Sequence, residues 1–132
     1  MKDGLHVDKN VDKRWYLNNQ LHKDDGPAVE WANGTNEWWF NDRLHREDGP
    51  AIEDANGDKE WFIHGKRHRE NDPAIEHTDG HKEWWLNGNL HREDGPAIER
   101  ANGTKVWLLH GEQYTEEEFI LKTSKFWQKV SS

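Results

Sequence analysis

Leu90-His91-Arg92-Glu93-Asp94-Gly95-Pro96-Ala97-Ile98-Glu99-Arg100-Ala101-Asn102-Gly103-Thr104-Lys105 is the stretch that decides how this chain is read, because almost all of it recurs at a fixed step. Pro27, Pro50, Pro73 and Pro96 stand 23 residues apart. The same step separates Trp15, Trp38, Trp61, Trp84 and Trp107, and also His22, His45, His68 and His91, each His being followed by a base (Lys23, Arg46, Arg69, Arg92). Three combs of one period in a short chain define a tandem repeat, which must be recognised before any local structure is assigned.

Within the repeat, Asn-Gly at 33–34, 56–57 and 102–103, with Asp79-Gly80 in the same slot, marks a hairpin tip. These dipeptides predict the pair of positive-φ residues of a type I′ turn. The segment before the tip (Ala51-Ile52-Glu53) and the segment after it (Glu60-Trp61-Phe62-Ile63) then read as antiparallel strands. A second turn follows each Trp strand, at Asn87-Gly88, His64-Gly65 and His110-Gly111, and in weaker form at Asn18-Asn19 and Asn41-Asp42. Proline at the start of the next strand lacks only a donor that the ladder does not need there.

Working outward, the N-terminal hairpin around Asn10-Val11 has lost its tip glycine, and Arg14 replaces the Glu of inner units, as suits a terminal repeat. At the other end Thr115-Glu116-Glu117-Glu118 is a capping box, predicting a helix over about 116–130 with Phe119, Phe126, Trp127 and Val130 on one stripe. The expected architecture is mainly β: an elongated antiparallel sheet of tandem hairpins over 1–114, closed by an amphipathic helix over 115–132.

Composition fits a thin array better than a thick core. Of the 132 residues 32% are hydrophobic and 33% charged, and the apolar share is rich in aromatics, with nine Trp, four Phe and two Tyr. Such rings bury large areas singly and suit the rungs of a single sheet. The absence of Cys rules out disulfides and thiolate metal sites, and no apolar run suggests a signal peptide or a membrane span. A cytoplasmic location is the expectation. A net charge of −8 argues against bulk DNA or RNA binding.

The succession Trp84-Trp85-Leu86-Asn87-Gly88, then Leu90 to Ala97, then Asn102-Gly103, resembles the MORN-repeat variants over roughly residues 12 to 114. Departures from that pattern are Trp for the usual Tyr, Pro-Ala for the second Gly, and His-Arg for a His-Gly. The resemblance implies a single-layer sheet of five hairpins, roughly 45–50 Å long. It also implies a setting, since repeats of this variant are like those of phage and large-virus proteins. A viral protein acting in the host cytoplasm is the corresponding expectation.

Two rows of side chains are candidates for function. Alternation sends Trp38 and Phe40 to one face and Trp39 to the other, so the invariant Trp row reads as structural. The second row, Tyr16, Trp39, Phe62, Trp85 and Leu108, varies and reads as the better contact surface. The cation row could hold an anion, since Arg forks grip phosphate and Trp faces stack on bases. Against this, Arg46, Arg69 and Arg92 have acidic neighbours to pair with, including Glu53, Glu76 and Glu99. Breaks in the repeat narrow the choice: Trp31 is an extra aromatic, Arg67 replaces a Leu beside Lys66, and His64, His77 and His81 gather in the middle. The candidate ligand-binding set is Trp39, Phe62, Lys66, Arg67, Arg69 and Trp85, with Arg46 and Arg92.

No nucleophile elbow, Walker motif or zinc-protease helix occurs. His-x-x-Asp recurs in three units, but evenly spread ligands do not converge on a metal, so neither metal nor cofactor is expected. The sequence therefore predicts a non-enzymatic binding protein. One version sequesters a nucleotide-like signalling ligand of the host, countering a defence. The other is a scaffold or inhibitor that docks a host protein through its aromatic and acidic face, and a homo-oligomer is compatible with either.

Overall fold

The computed structural model describes the backbone of residues 3–131 and side chains as far as Ser124. Strands β1 (Gly4–Val7) and β2 (Lys13–Leu17) open a long antiparallel sheet. Each following unit adds two short strands: Val29–Glu30 with Asn36–Glu37, Ile52–Glu53 with Lys59–Glu60, Ile75–Glu76 with Lys82–Glu83, and Ile98–Glu99 with Lys105–Leu109. Each of these strands pairs with the next as far as Glu112–Tyr114, and Gln20–Leu21, paired with β2 off this path, completes a twelve-stranded sheet. The mainly β hairpin array with one C-terminal helix, α1 (Glu116–Ser131), is thus the observed fold.

The inner Trp strands are broken where the sequence suggests continuity. Trp38, Trp61 and Trp84 interrupt the ladder, and the chain continues into three separate two-stranded hairpins: Trp39–Phe40 with Arg43–Leu44, Phe62–Ile63 with Lys66–Arg67, and Trp85–Leu86 with Asn89–Leu90. Each Trp backbone bonds sideways instead: Trp38 N–H donates to Ala51 O at 2.7 Å in the next unit, and Trp38 O accepts from His45 N–H at 3.0 Å. Neighbouring short hairpins are joined by a few backbone bonds, such as Gly65 N–H to Leu44 O at 2.8 Å and Arg46 N–H to Phe62 O at 3.1 Å.

Turn geometry corrects one expectation. At the Asn-Gly tips only the glycine has positive φ, +97° at Gly57, and Gly57 N–H donates to Asp54 O while Asp54 N–H donates to Asp58 O. That is a type I turn followed by a left-handed glycine, the three-residue hairpin loop. Asn56 earns its place through its side chain, which accepts from Asp58 N–H at 3.1 Å. The double positive-φ turns are the second ones: Asn41 (+50°) with Asp42 (+63°), His64 (+48°) with Gly65 (+80°), Asn87 (+50°) with Gly88 (+82°).

The core is one layer thick. Ala28, Ala51, Ala74 and Ala97 are wholly buried, and among the described residues no large side chain is. A Cβ is all that fits beside a backbone that hydrogen-bonds on both edges, as Ala51 does to Glu60 and to Trp38. Burial does not divide the two aromatic rows as expected: Trp84 of the first is buried, but so are Phe62 and Leu108 of the second. With so little apolar material, each row is covered by the chain's own polar side chains. The capping box closes as read from sequence, Glu118 N–H donating to Thr115 Oγ1 at 3.1 Å and Thr115 N–H to Glu118 Oε1 at 2.8 Å. The bond from Thr115 N–H, and after it the Thr115 hydroxyl, hold the Glu118 carboxyl below its ordinary range. Helix α1 packs beside the last two strands and buries Phe119. Phe126, Trp127 and Val130 of the expected stripe lie outside the residues whose side chains are described.

Candidate functional site

The cation row lies flat on the Trp row. Lys23 Nζ sits 3.8 Å from the centroid of Trp15, and the guanidinium carbons of Arg46, Arg69 and Arg92 sit 3.8, 3.9 and 3.8 Å from Trp38, Trp61 and Trp84. Chain reversal at the second turn brings each base back over the Trp eight residues earlier. Carboxylates then fasten it. Arg92 donates from Nη1 to Pro96 O (3.1 Å) and Glu99 (3.0 Å), and from Nε to Asp94 (2.9 Å). Arg46 repeats all three contacts with Pro50, Glu53 and Asp48.

Arg69 does not. Its Nη1 keeps Pro73 O (3.1 Å) and Glu76 (2.6 Å), but the residue that should hold Nε is Asn71, and only Asp72 approaches, 3.8 Å from Nη2. Asn71-Asp72 stands where the flanking units have Asp48-Gly49 and Asp94-Gly95. Asn71 adopts a left-handed φ of +69°. The break was readable in the sequence as a lost Asp-Gly, although its effect on Arg69 was not.

The His row is a set of ties between units. His45 Nδ1 accepts from His64 N–H at 2.9 Å, and His22, His68 and His91 do the same for Asn41, Asn87 and His110. Accepting at Nδ1 leaves the proton on Nε2, which faces an acid: Asp24 for His22 at 2.7 Å and Glu93 for His91 at 3.3 Å. Each ring thereby anchors the first left-handed residue of the next unit's double positive-φ turn. Stacking adds to it, with His45 on His64 at 4.4 Å and His91 on His110 at 4.2 Å.

The remaining sequence candidates occupy the other face of the strands. Trp39 Nε1 donates to Glu37, Trp85 Nε1 to Glu83, each at 2.8 Å, and Arg67 Nη2 to Glu60 at 3.1 Å. Arg67 lies 5.3 Å from Phe62 and 5.4 Å from Trp85, so these three come together. Trp39 and Lys66 share a separate groove of about 520 Å³ with Arg43, a residue the sequence did not single out. The eight candidates therefore form no single site: Arg46, Arg69 and Arg92 cover one aromatic row, and Trp39, Phe62, Lys66, Arg67 and Trp85 attend the other.

A concavity of about 870 Å³ lies between the last units and α1. Arg69 and Arg92 line it, together with Trp84, Leu86, His91, Leu109 and His110 from the hairpins and Phe119, Lys122 and Thr123 from the helix. Glu70, Asn71, Glu93 and Asp94 also line it. Its three acids are already engaged, Glu70 by His68, Glu93 by His91 and Asp94 by Arg92. Sequence reasoning missed this cleft because its two walls meet only in three dimensions. Among the described residues no group of three or more His, Asp or Glu is placed to hold a metal ion, and no helix is long and apolar enough to cross a membrane. No family model and no curated protein matches this chain. Fold and side-chain geometry define a β-hairpin repeat array with a helix-walled cleft.

Proposed function

We propose that this chain is a non-enzymatic binding protein and that the cleft beside α1 holds a flat anionic ligand of nucleotide type, which the protein sequesters without turnover. The observation that carries the reading is Arg69: alone among the three stacked arginines, it has an Nε with no carboxylate tied to it, and it lines the cleft. A guanidinium with a spare donor, backed by Trp61, is poised for a phosphate or carboxylate. Trp84, Phe119 and Leu86 offer apolar surface for a ring, and a volume of this order suits a small molecule.

The test is a melting-temperature screen against linear and cyclic nucleotides. A ligand at a hundred times its Kd stabilises the native state by about 2.7 kcal/mol, a rise of about 10 °C for a chain of this size. Arg69→Gln abolishes that rise, whereas Arg67→Gln, on the other face, leaves it. A flat panel overturns the assignment.

A second reading draws on a separate observation. Asp24, Glu47, Glu70 and Glu93 recur at the repeat step, each beside the His two residues before it yet with side chains 77, 81, 78 and 76% exposed, an acidic comb that suits a basic protein segment. As a scaffold, the protein would retain a host partner in a pull-down that fades as salt rises.

A further inference from the structure

The two ends of the sheet are finished differently. At one end α1 stands beside the last strands. At the other, β1 is an edge strand with all four residues exposed, Leu5 at 50% and Val7 at 53%. Sheet edges are usually blunted by a lysine, a proline, a bulge or a covering element. Gly4-Leu5-His6-Val7 contains neither charge nor proline, and it pairs with β2 residue for residue.

Hydrogen bonding within this hairpin fixes which backbone groups face outward. Asp8 N–H donates to Asp12 O at 3.1 Å. Alternation along an antiparallel ladder then closes His6 on Arg14 and Gly4 on Tyr16, leaving the N–H and C=O of Leu5 and Val7 directed away from the sheet. We propose that β1 pairs antiparallel with β1 of a second copy of this chain, about a twofold axis at His6.

The register follows from the sequence. An axis at His6 sets Leu5 opposite Val7 of the second copy, so the outward groups make four backbone hydrogen bonds and apolar side chains meet. Slipping two residues either way sets one of these two apolar residues against itself and leaves the other opposite a residue outside β1. Only the central register pairs both Leu5 and Val7 within the strands, the self-complementarity that a twofold interface requires. The result is one continuous sheet running through two arrays, with both clefts at its far ends.

Light scattering coupled to gel filtration, run on the full chain from 1 to 200 µM in order of magnitude, tests this independently of any ligand. The expected mass rises with concentration to twice 15.7 kDa. Val7→Pro removes an outward donor that β2 does not use, so it weakens dimerisation roughly a hundredfold while the melting curve of the monomer stays cooperative. Leu5→Lys, which sets a charge opposite Val7 of the second copy, weakens it roughly tenfold. A chain that stays monomeric throughout, or a dimer indifferent to both Val7→Pro and Leu5→Lys, overturns the proposal.

Discussion

The connection from Arg92 to Pro96 and the connection from Arg69 to Pro73 hold the same place in successive units, and they treat the same guanidinium differently. Arg92 rests on Trp84 and is held by Asp94, Pro96 O and Glu99. Arg69 rests equally well on Trp61, yet Asn71-Asp72 leaves its Nε unclaimed among the described residues. Gly95 belongs to the first arrangement: a Cβ there would lie 2.8 Å from Arg92 Cζ, as it would lie 2.9 Å from Arg46 Cζ at Gly49. Repetition builds the array, and a departure from it releases a functional group at the one place where the helix makes a cleft.

The largest expected effect comes from deleting the fastened arginine. Arg92→Ala uncovers Trp84 and strips Glu99 and Asp94 of their partner, costing about 2 kcal/mol in denaturant unfolding. Arg69→Ala costs about 0.5–1 kcal/mol less, having one fewer bond to lose, while removing the nucleotide binding proposed for the cleft. Equal costs would erase the distinction. Gly95→Ala pushes the guanidinium off Trp84 and costs about 1 kcal/mol. Copying the third connection into the fourth, by Asp94→Asn with Gly95→Asp, relieves most of that cost, since the released Nε lets Arg92 shift. The reciprocal pair, Asn71→Asp with Asp72→Gly, fastens Arg69 and weakens any ligand about tenfold by titration calorimetry.

Ties between neighbouring tips extend the contrast. Thr35 Oγ1 accepts from Ala55 N–H at 3.1 Å and Asp58 Oδ1 from Thr78 N–H at 2.9 Å, whereas His81, one step on, turns to Glu83 at 2.7 Å. Thr35→Ala therefore costs about 1 kcal/mol, and His81→Ala less than about 0.5 kcal/mol. The smallest effect is one of pH. The bond from Thr78 N–H is the leading reason that the Asp58 carboxyl sits below its ordinary value of 3.8. A lowered native pKa adds stability above that value and loses it as pH falls through the native one. Acid titration of the melting temperature shows a shallower fall for Asp58→Asn than for the parent chain.

Much of this fold was legible in the residues. The Pro, Trp and His combs located every hairpin, and Thr115 with Glu118 located the start of α1. Turn type was not, because Asn-Gly serves both kinds of loop. Asn56-Gly57 joins strands three residues apart, and Asn87-Gly88 joins strands two apart, so register decides which angles each dipeptide adopts. The candidate site was legible in part. Arg67 does meet Phe62 and Trp85, but Glu60 pairs with it across the hairpin, and no local pattern announces that contact.

By itself the sequence determined the period, the hairpins, the aromatic rungs and the capped helix, since each depends on residues close together along the chain or on simple repetition. Only the tertiary structure decided which charges are spent. A stacked arginine or a tryptophan N–H is claimed by carboxylates of its own repeat, which only the folded hairpin brings within 3 Å. Each histidine is claimed by a backbone N–H of the next unit, as at His45 and His91, a relation that no single repeat contains.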